Sequence, residues 1–190
     1  MRSAALLIFI GACNAALGSD TSTLQAKPDA AFLQLVDATR FLANYKEMAA
    51  VSARVSTKRA QGDQNPYAAF LAKVAVADLS DIRDCMGRAY ASGPITPTDA
   101  VQLVRIFNSP LGKKVIDITH RSIIAKLDQD AFPRVDWSSV TDDERTEMPS
   151  IFENPAFQHY AAVISNPAFE QATMACLVSS KVGKANGFKG

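Results

Sequence analysis

The chain has 190 residues, 48% of them hydrophobic and 21% charged, with nine glycines, nine prolines and a formal net charge of +1. That balance belongs to a globular chain and excludes a disordered, collagen-like or multi-span membrane protein. A charge so near zero argues against a dedicated nucleic-acid binder, which needs a basic excess to release counterions, and the length suffices to bury a real core in one domain.

The first eighteen residues read as an export label. Arg2 supplies a basic start, Ala4 to Ile10 is an unbroken apolar run, and Ala16 and Gly18 are small residues where a signal peptidase reads, followed by Ser19 and Asp20. This order predicts a secretory signal peptide over 1–18, cleaved between Gly18 and Ser19. A buried N-terminal helix is the bland alternative. A membrane-spanning helix needs roughly twenty apolar residues, more than the run provides. Ile10-Gly11-Ala12-Cys13 also resembles a lipobox, which would make the chain an outer-membrane lipoprotein anchored at a lipidated Cys13. Plain secretion is the expected route and gives a periplasmic or secreted address, with the outer-membrane lipoprotein as the minor alternative.

Removal of 1–18 discards Arg2 and no acid, so the remaining chain carries 19 acidic residues against as many bases. It also discards Cys13 and leaves two thiols, Cys85 and Cys176. A pair of cysteines in an exported chain reads as a disulfide, with two buried free thiols as the alternative. In the chain-entropy model a bridge closing so long a loop stabilises by up to ~4–5 kcal/mol.

Residues 19–27 are small and polar and read as a flexible start. Beyond Pro28 the helical period dominates. Asp29 can cap, and Phe32, Leu35, Val36, Leu42, Tyr45, Met48, Val51 and Val55 form one stripe that ends at Lys58-Arg59. Gln61 to Gln64 is a break. Asn65-Pro66 pairs a capping side chain with proline at a first helical position. The helix it opens carries Tyr67, Phe70, Leu71, Val74, Leu79, Ile82, Cys85, Met86 and Tyr90 on one broad face and stops at Ser92-Gly93-Pro94. Cys85 lies on that face, so its partner should come from a helix packed against it. No stretch alternates with period two, and a sheet is not expected. The expectation is an all-α, irregular bundle of about six to eight helices over 28–182, with 183–190 a flexible tail.

A repeat at an offset of 45 residues is the most specific internal signal. Thr96-Pro97-Thr98-Asp99 opens a helix, Ile106-Phe107 closes it, and Asn108-Ser109-Pro110 starts another. Thr141-Asp142-Asp143-Glu144, Ile151-Phe152 and Glu153-Asn154-Pro155 repeat the order, so 140–182 reads as a divergent second copy. Thr141 with Glu144 has capping-box spacing, and Thr96 with Asp99 is a weaker version. Proline cannot continue a helix and biases the residue before it away from helical angles, so each copy folds back sharply. Phe107 and Phe152 are expected as apolar wedges at the corners. Pro149 is expected to kink or split its helix.

Around Phe107-Asn108-Ser109-Pro110-Leu111-Gly112-Lys113-Lys114 the sequence resembles a bacterial secreted family catalogued as domain of unknown function 2059, whose hallmark is an aromatic residue followed by Ser-Pro-x-Gly-x-Lys after an acidic helix start. Asp99, Phe107, Ser109, Pro110, Gly112 and Lys114 stand at the matching places, and the resemblance covers roughly residues 95–127. It implies an exported all-helical domain and no activity. The second copy departs from the hallmark, with Phe157 in place of glycine and Gln158-His159 in place of the lysines.

Catalytic signatures are missing. There is no Gly-x-Ser-x-Gly elbow, phosphate loop or dinucleotide fingerprint, and the two histidines, His120 and His159, cannot complete a structural zinc site without paired cysteines. Asp78, Asp81 and Asp84 at three-residue steps read as a solvated face with Arg83 and Arg88 rather than a cation site. Lys113, Lys114, Arg121 and Lys126 make one helix locally basic, diluted by Asp117 and Asp128, which leaves a weak headgroup or anionic-glycan contact. No metal or cofactor is expected. The expected function is a non-enzymatic module that binds a protein or an envelope component, with Phe107, Ser109, Pro110, Gly112 and Lys114 as its interaction corner. The competing reading is a carboxylate-based hydrolase acting on a cell-envelope substrate.

Overall fold

The computed structural model describes residues 28–59, 65–129 and 135–187, and every regular element among them is a helix. The signal peptide, Cys13, the Gly18–Ser19 junction, the 19–27 segment and the break at Gln61 lie outside the described residues. The order is α1 (Ala30–Ala38), α2 (Phe41–Arg59), α3 (Pro66–Val76), α4 (Ser80–Ala91), α5 (Pro97–Asn108), α6 (Pro110–Gln129), α7 (Asp142–Phe152), α8 (Pro155–Ile164), α9 (Pro167–Ser179) and α10 (Lys181–Ala185).

Five of these ten helices begin on proline, and each of the five is preceded by a capping side chain. Asn65, Asn154 and Asn166 accept from amides in the first turns of α3, α8 and α9. Ser109 does the same for α6, its Oγ accepting from Gly112 N–H at 3.0 Å. Thr96 completes a capping box with Asp99 at α5, and Thr141 one with Glu144 at α7. Orphan amides are satisfied locally at every proline corner, so the chain can reverse without leaving buried donors unpaired.

The helices number more than six to eight because two stripes are each interrupted without glycine or proline. α1 ends at Thr39, and Arg40 turns the chain with a left-handed φ of 53° before α2 starts. Between α3 and α4, Ala77 is extended and Asp78 Oδ1 accepts from Ser80 N–H at 2.9 Å, a local bond that competes with helix continuation. At the C-terminal end Lys181–Ala185 forms a helix where a tail is expected. Ser180 caps it, Asp81 Oδ2 on α4 accepts from Lys181 N–H at 2.6 Å, and Asn186 takes a bond from Lys73 Nζ. α7 is not split at Pro149, which sits in its last turn with Glu153 N–H donating to the Pro149 carbonyl.

One large core gathers Leu35 and Val36 of α1, Val74 of α3, Ile82, Met86 and Tyr90 of α4, Ala100, Leu103 and Phe107 of α5, Ala156 and Val163 of α8, and Leu177 of α9. α5 lies at its centre, packed on α1 and α8, while α4 packs on α9. A smaller cluster of Leu111, Val115, Ile118 and Val140 forms beneath α6 and is covered by Trp137, Met148 and Ile151. Cys85 of α4 and Cys176 of α9 are joined by a disulfide with Cα atoms 5.6 Å apart, so the expected bridge is present. Among the described residues no helix is long and apolar enough to cross a membrane.

Candidate functional site

The α5–α6 corner is built from the hallmark residues, and most of them face inward. Phe107 is 3% exposed, its ring 5.0 Å from that of Tyr160 and 6.2 Å from that of Phe157. Ser109 Oγ donates to the Ile106 carbonyl at 2.7 Å and caps α6, so one hydroxyl closes both helix ends. Gly112 is required by close approach, since a Cβ there would stand 1.9 Å from the Ile106 carbonyl oxygen. Lys114 crosses to α7, with Nζ 2.7 Å from Glu144 Oε2. What this corner offers to solvent is Asn108, Pro110 and Lys113, with Ser109 half-buried.

The α7–α8 corner is built alike and ends differently. Phe152 occupies the place of Phe107 in the repeat, yet it is 39% exposed. Among the described residues its ring meets one other ring, that of Phe157 at 5.3 Å. The cause is what lies behind each helix. α5 is backed by α1, whereas α7 buries no residue fully and rests on the α6 cluster through Met148 and Ile151. Phe157 contacts both Phe107 and Phe152, so the two corners lie on either side of one ring. α7 carries the exposed acids Asp142, Asp143 and Glu147, with Glu153 just past its end and the exposed Arg145 beside Asp142.

Both histidines are held by carboxylates of other helices. His120 is 8% exposed and lies 2.8 Å from Glu47 Oε2 of α2. His159 Nδ1 lies 3.0 Å from Asp99 Oδ2. Asp99 is held below the ordinary carboxylate range chiefly by the Thr96 amide, with further bonds from His159 and the Thr96 hydroxyl. Glu144 is lowered first by the Lys114 ammonium and then by the Thr141 amide. The Asp78, Asp81, Asp84 face does not act as a unit. Asp78 caps Ser80, Asp81 caps α10, and Asp84 faces solvent. Among the described residues no group of three or more His, Cys, Asp or Glu side chains is arranged to hold a metal ion.

A polar chain inside the core escapes the sequence reading altogether. Thr39, 6% exposed, donates from Oγ1 to the carbonyls of Leu35 and Val36, and the phenols of Tyr90 and Tyr160 lie beside it with ring centroids 6.0 Å apart. Burial pushes the Tyr90 phenol up to about 12 and raises that of Tyr160 well above its ordinary value. The tyrosines lie on apolar stripes, where nothing in the pattern separates a packed ring from a bonded hydroxyl. Phe152 had a visible signal. Where α5 has Ala100 and Leu103 on its buried side, the repeat places Arg145 and Met148, a poorer surface for burial. No protein-family model, curated protein or solved structure matches the chain.

Proposed function

We propose that the chain is an exported, non-enzymatic helical module that docks a protein partner of the cell envelope through the exposed side of its second corner, centred on Phe152. The observation that carries this reading is the contrast between equivalent aromatic residues, Phe107 at 3% exposure and Phe152 at 39%. A large ring left in solvent beside Phe157, where its counterpart is sealed by a further layer of helices, is the anchor type that dominates protein interfaces. The exposed acids of α7 suit a partner that is basic around an apolar pocket.

Two features support export. The disulfide between Cys85 and Cys176 fits an oxidising compartment, where such bridges form and persist. The run from Arg2 to Gly18 has the order of a signal peptide. The resemblance to the secreted family supports the same address, and its Ser109, Gly112 and Lys114 each have a definite physical task in the turn.

The test is fractionation of cells producing the full chain, with intact mass and thiol titration of the recovered protein, followed by partner capture. The expected product begins at Ser19, contains no free thiol, lies outside the cytoplasm and brings down a partner that the Phe152→Ser variant loses without a change in unfolding temperature. A reduced, full-length cytoplasmic product contradicts the address. Equal capture by Phe152→Ser contradicts the docking point.

A further inference from the structure

The offset of 45 residues that relates the two corners also pairs Asp99 with Glu144 and Lys114 with His159. In the fold these four residues exchange partners. Lys114 of the first copy reaches Glu144 of the second at 2.7 Å, and His159 of the second reaches Asp99 of the first at 3.0 Å. A contact set in which residue i meets the equivalent of j, while j meets the equivalent of i, is the pattern of an isologous, two-fold interface. Two ion pairs formed independently would have no reason to obey that rule.

Burial follows the same relation at three pairs of equivalent positions, though not at Phe107 and Phe152. Ile95 and Val140, each before its capping threonine, are both 3% exposed. Leu111 and Ala156 are 4% and 0% exposed, and Ile118 and Val163 are 2% and 4%.

We infer that α5 with the first turns of α6, and α7 with α8, are two copies of one self-recognising unit related by a local two-fold. The basic side chain fifteen residues beyond each capping threonine's acid reads the capping carboxylate of the opposite copy. Lys114 and His159 are its docking residues, and the surface each fits is a helix start of the form Thr-x-x-acid. That assigns the last lysine of the Ser-Pro-x-Gly-x-Lys signature to recognition of a capped helix N-terminus, met here within one chain. The inference stands on the exchanged pairs and is independent of any docking at Phe152.

The test uses the full chain with its disulfide intact. Lys114 and His159 side chains are 35% and 45% exposed, so their substitution leaves the core in place. Thr141 N–H donates to Glu144 Oε2 and Thr96 N–H to Asp99 Oδ2, which makes these two amides reporters of the capping boxes. Amide hydrogen exchange and thermal unfolding are measured for Lys114→Met, His159→Met and His159→Lys. Lys114→Met is expected to speed exchange at Thr141, and His159→Met at Thr96, each with a fall of about 2–4 °C in unfolding temperature. His159→Lys restores the residue type of the equivalent position and is expected to keep both readouts at the wild-type level. The inference is overturned if either methionine variant leaves the opposite copy's reporter amide unchanged, or if His159→Lys behaves like His159→Met.

Discussion

Thr39 Oγ1 donates to the Leu35 and Val36 carbonyls, and the phenols of Tyr90 and Tyr160 lie beside it. Tyr90 is 1% exposed, so its hydroxyl needs a partner inside the protein. Tyr90→Phe should therefore cost about 0.5–1.5 kcal/mol. Urea unfolding of the variant checks this, and a gain in stability would show that the hydroxyl has no partner. Gly112 is the other residue whose side chain, or lack of one, decides a corner. Gly112→Ala drives a methyl group against the Ile106 carbonyl and should destabilise by about 1–3 kcal/mol, measured the same way.

At the scale of the helix, caps carry charge as well as hydrogen bonds. Glu144 has a folded-state carboxyl pKa below its ordinary value, so its stabilising contribution is present above the unfolded value near ~4 and disappears as pH falls through the lower folded one. Glutamine can fill the same capping-box position without charge. The stability difference between wild type and Glu144→Gln should therefore be present at pH 6 and shrink progressively below pH ~4. A difference that persists undiminished at low pH would remove the Lys114 pairing from the account.

Elements also show how far the sequence can be read. Corners marked by Asn-Pro, Ser-Pro or Thr-Pro are legible because proline and its capping neighbour dictate the break locally. The corner at Arg40 is not legible, because an arginine enters the left-handed region only when the packing of α1 on α4 and α5 requires it. The same holds for Asp78, whose bond to Ser80 ends α3 on a residue that helices otherwise tolerate. The interaction corner was legible as a place and not as a surface. Spacing locates Phe107, Gly112 and Lys114, while their burial and cross-pairing depend on which helices lie behind them.

For the whole molecule, the Cys85–Cys176 bridge ties α9, and through it α10, to α4 at the heart of the core. The loop it closes spans 91 residues, for which the chain-entropy relation predicts up to ~4–5 kcal/mol. For a chain of this size that corresponds to a fall of roughly 10–20 °C in unfolding temperature for Cys85→Ser/Cys176→Ser. Calorimetry of the double variant checks this, and a fall of only a few degrees would show that α9 holds its place by packing alone.

The surface left over once α1, α4, α8 and α9 have sealed the first corner is the outer side of α7, and the account stands on that surface having an occupant. The most direct measurement is a photo-reactive phenylalanine analogue placed at position 152 and irradiated in living cells, with the exposed position 76 at the end of α3 as a control. A discrete cross-linked protein at 152, outcompeted by the unlabelled chain, is the predicted result. Cross-linking absent at 152, or the same at both positions, would contradict it.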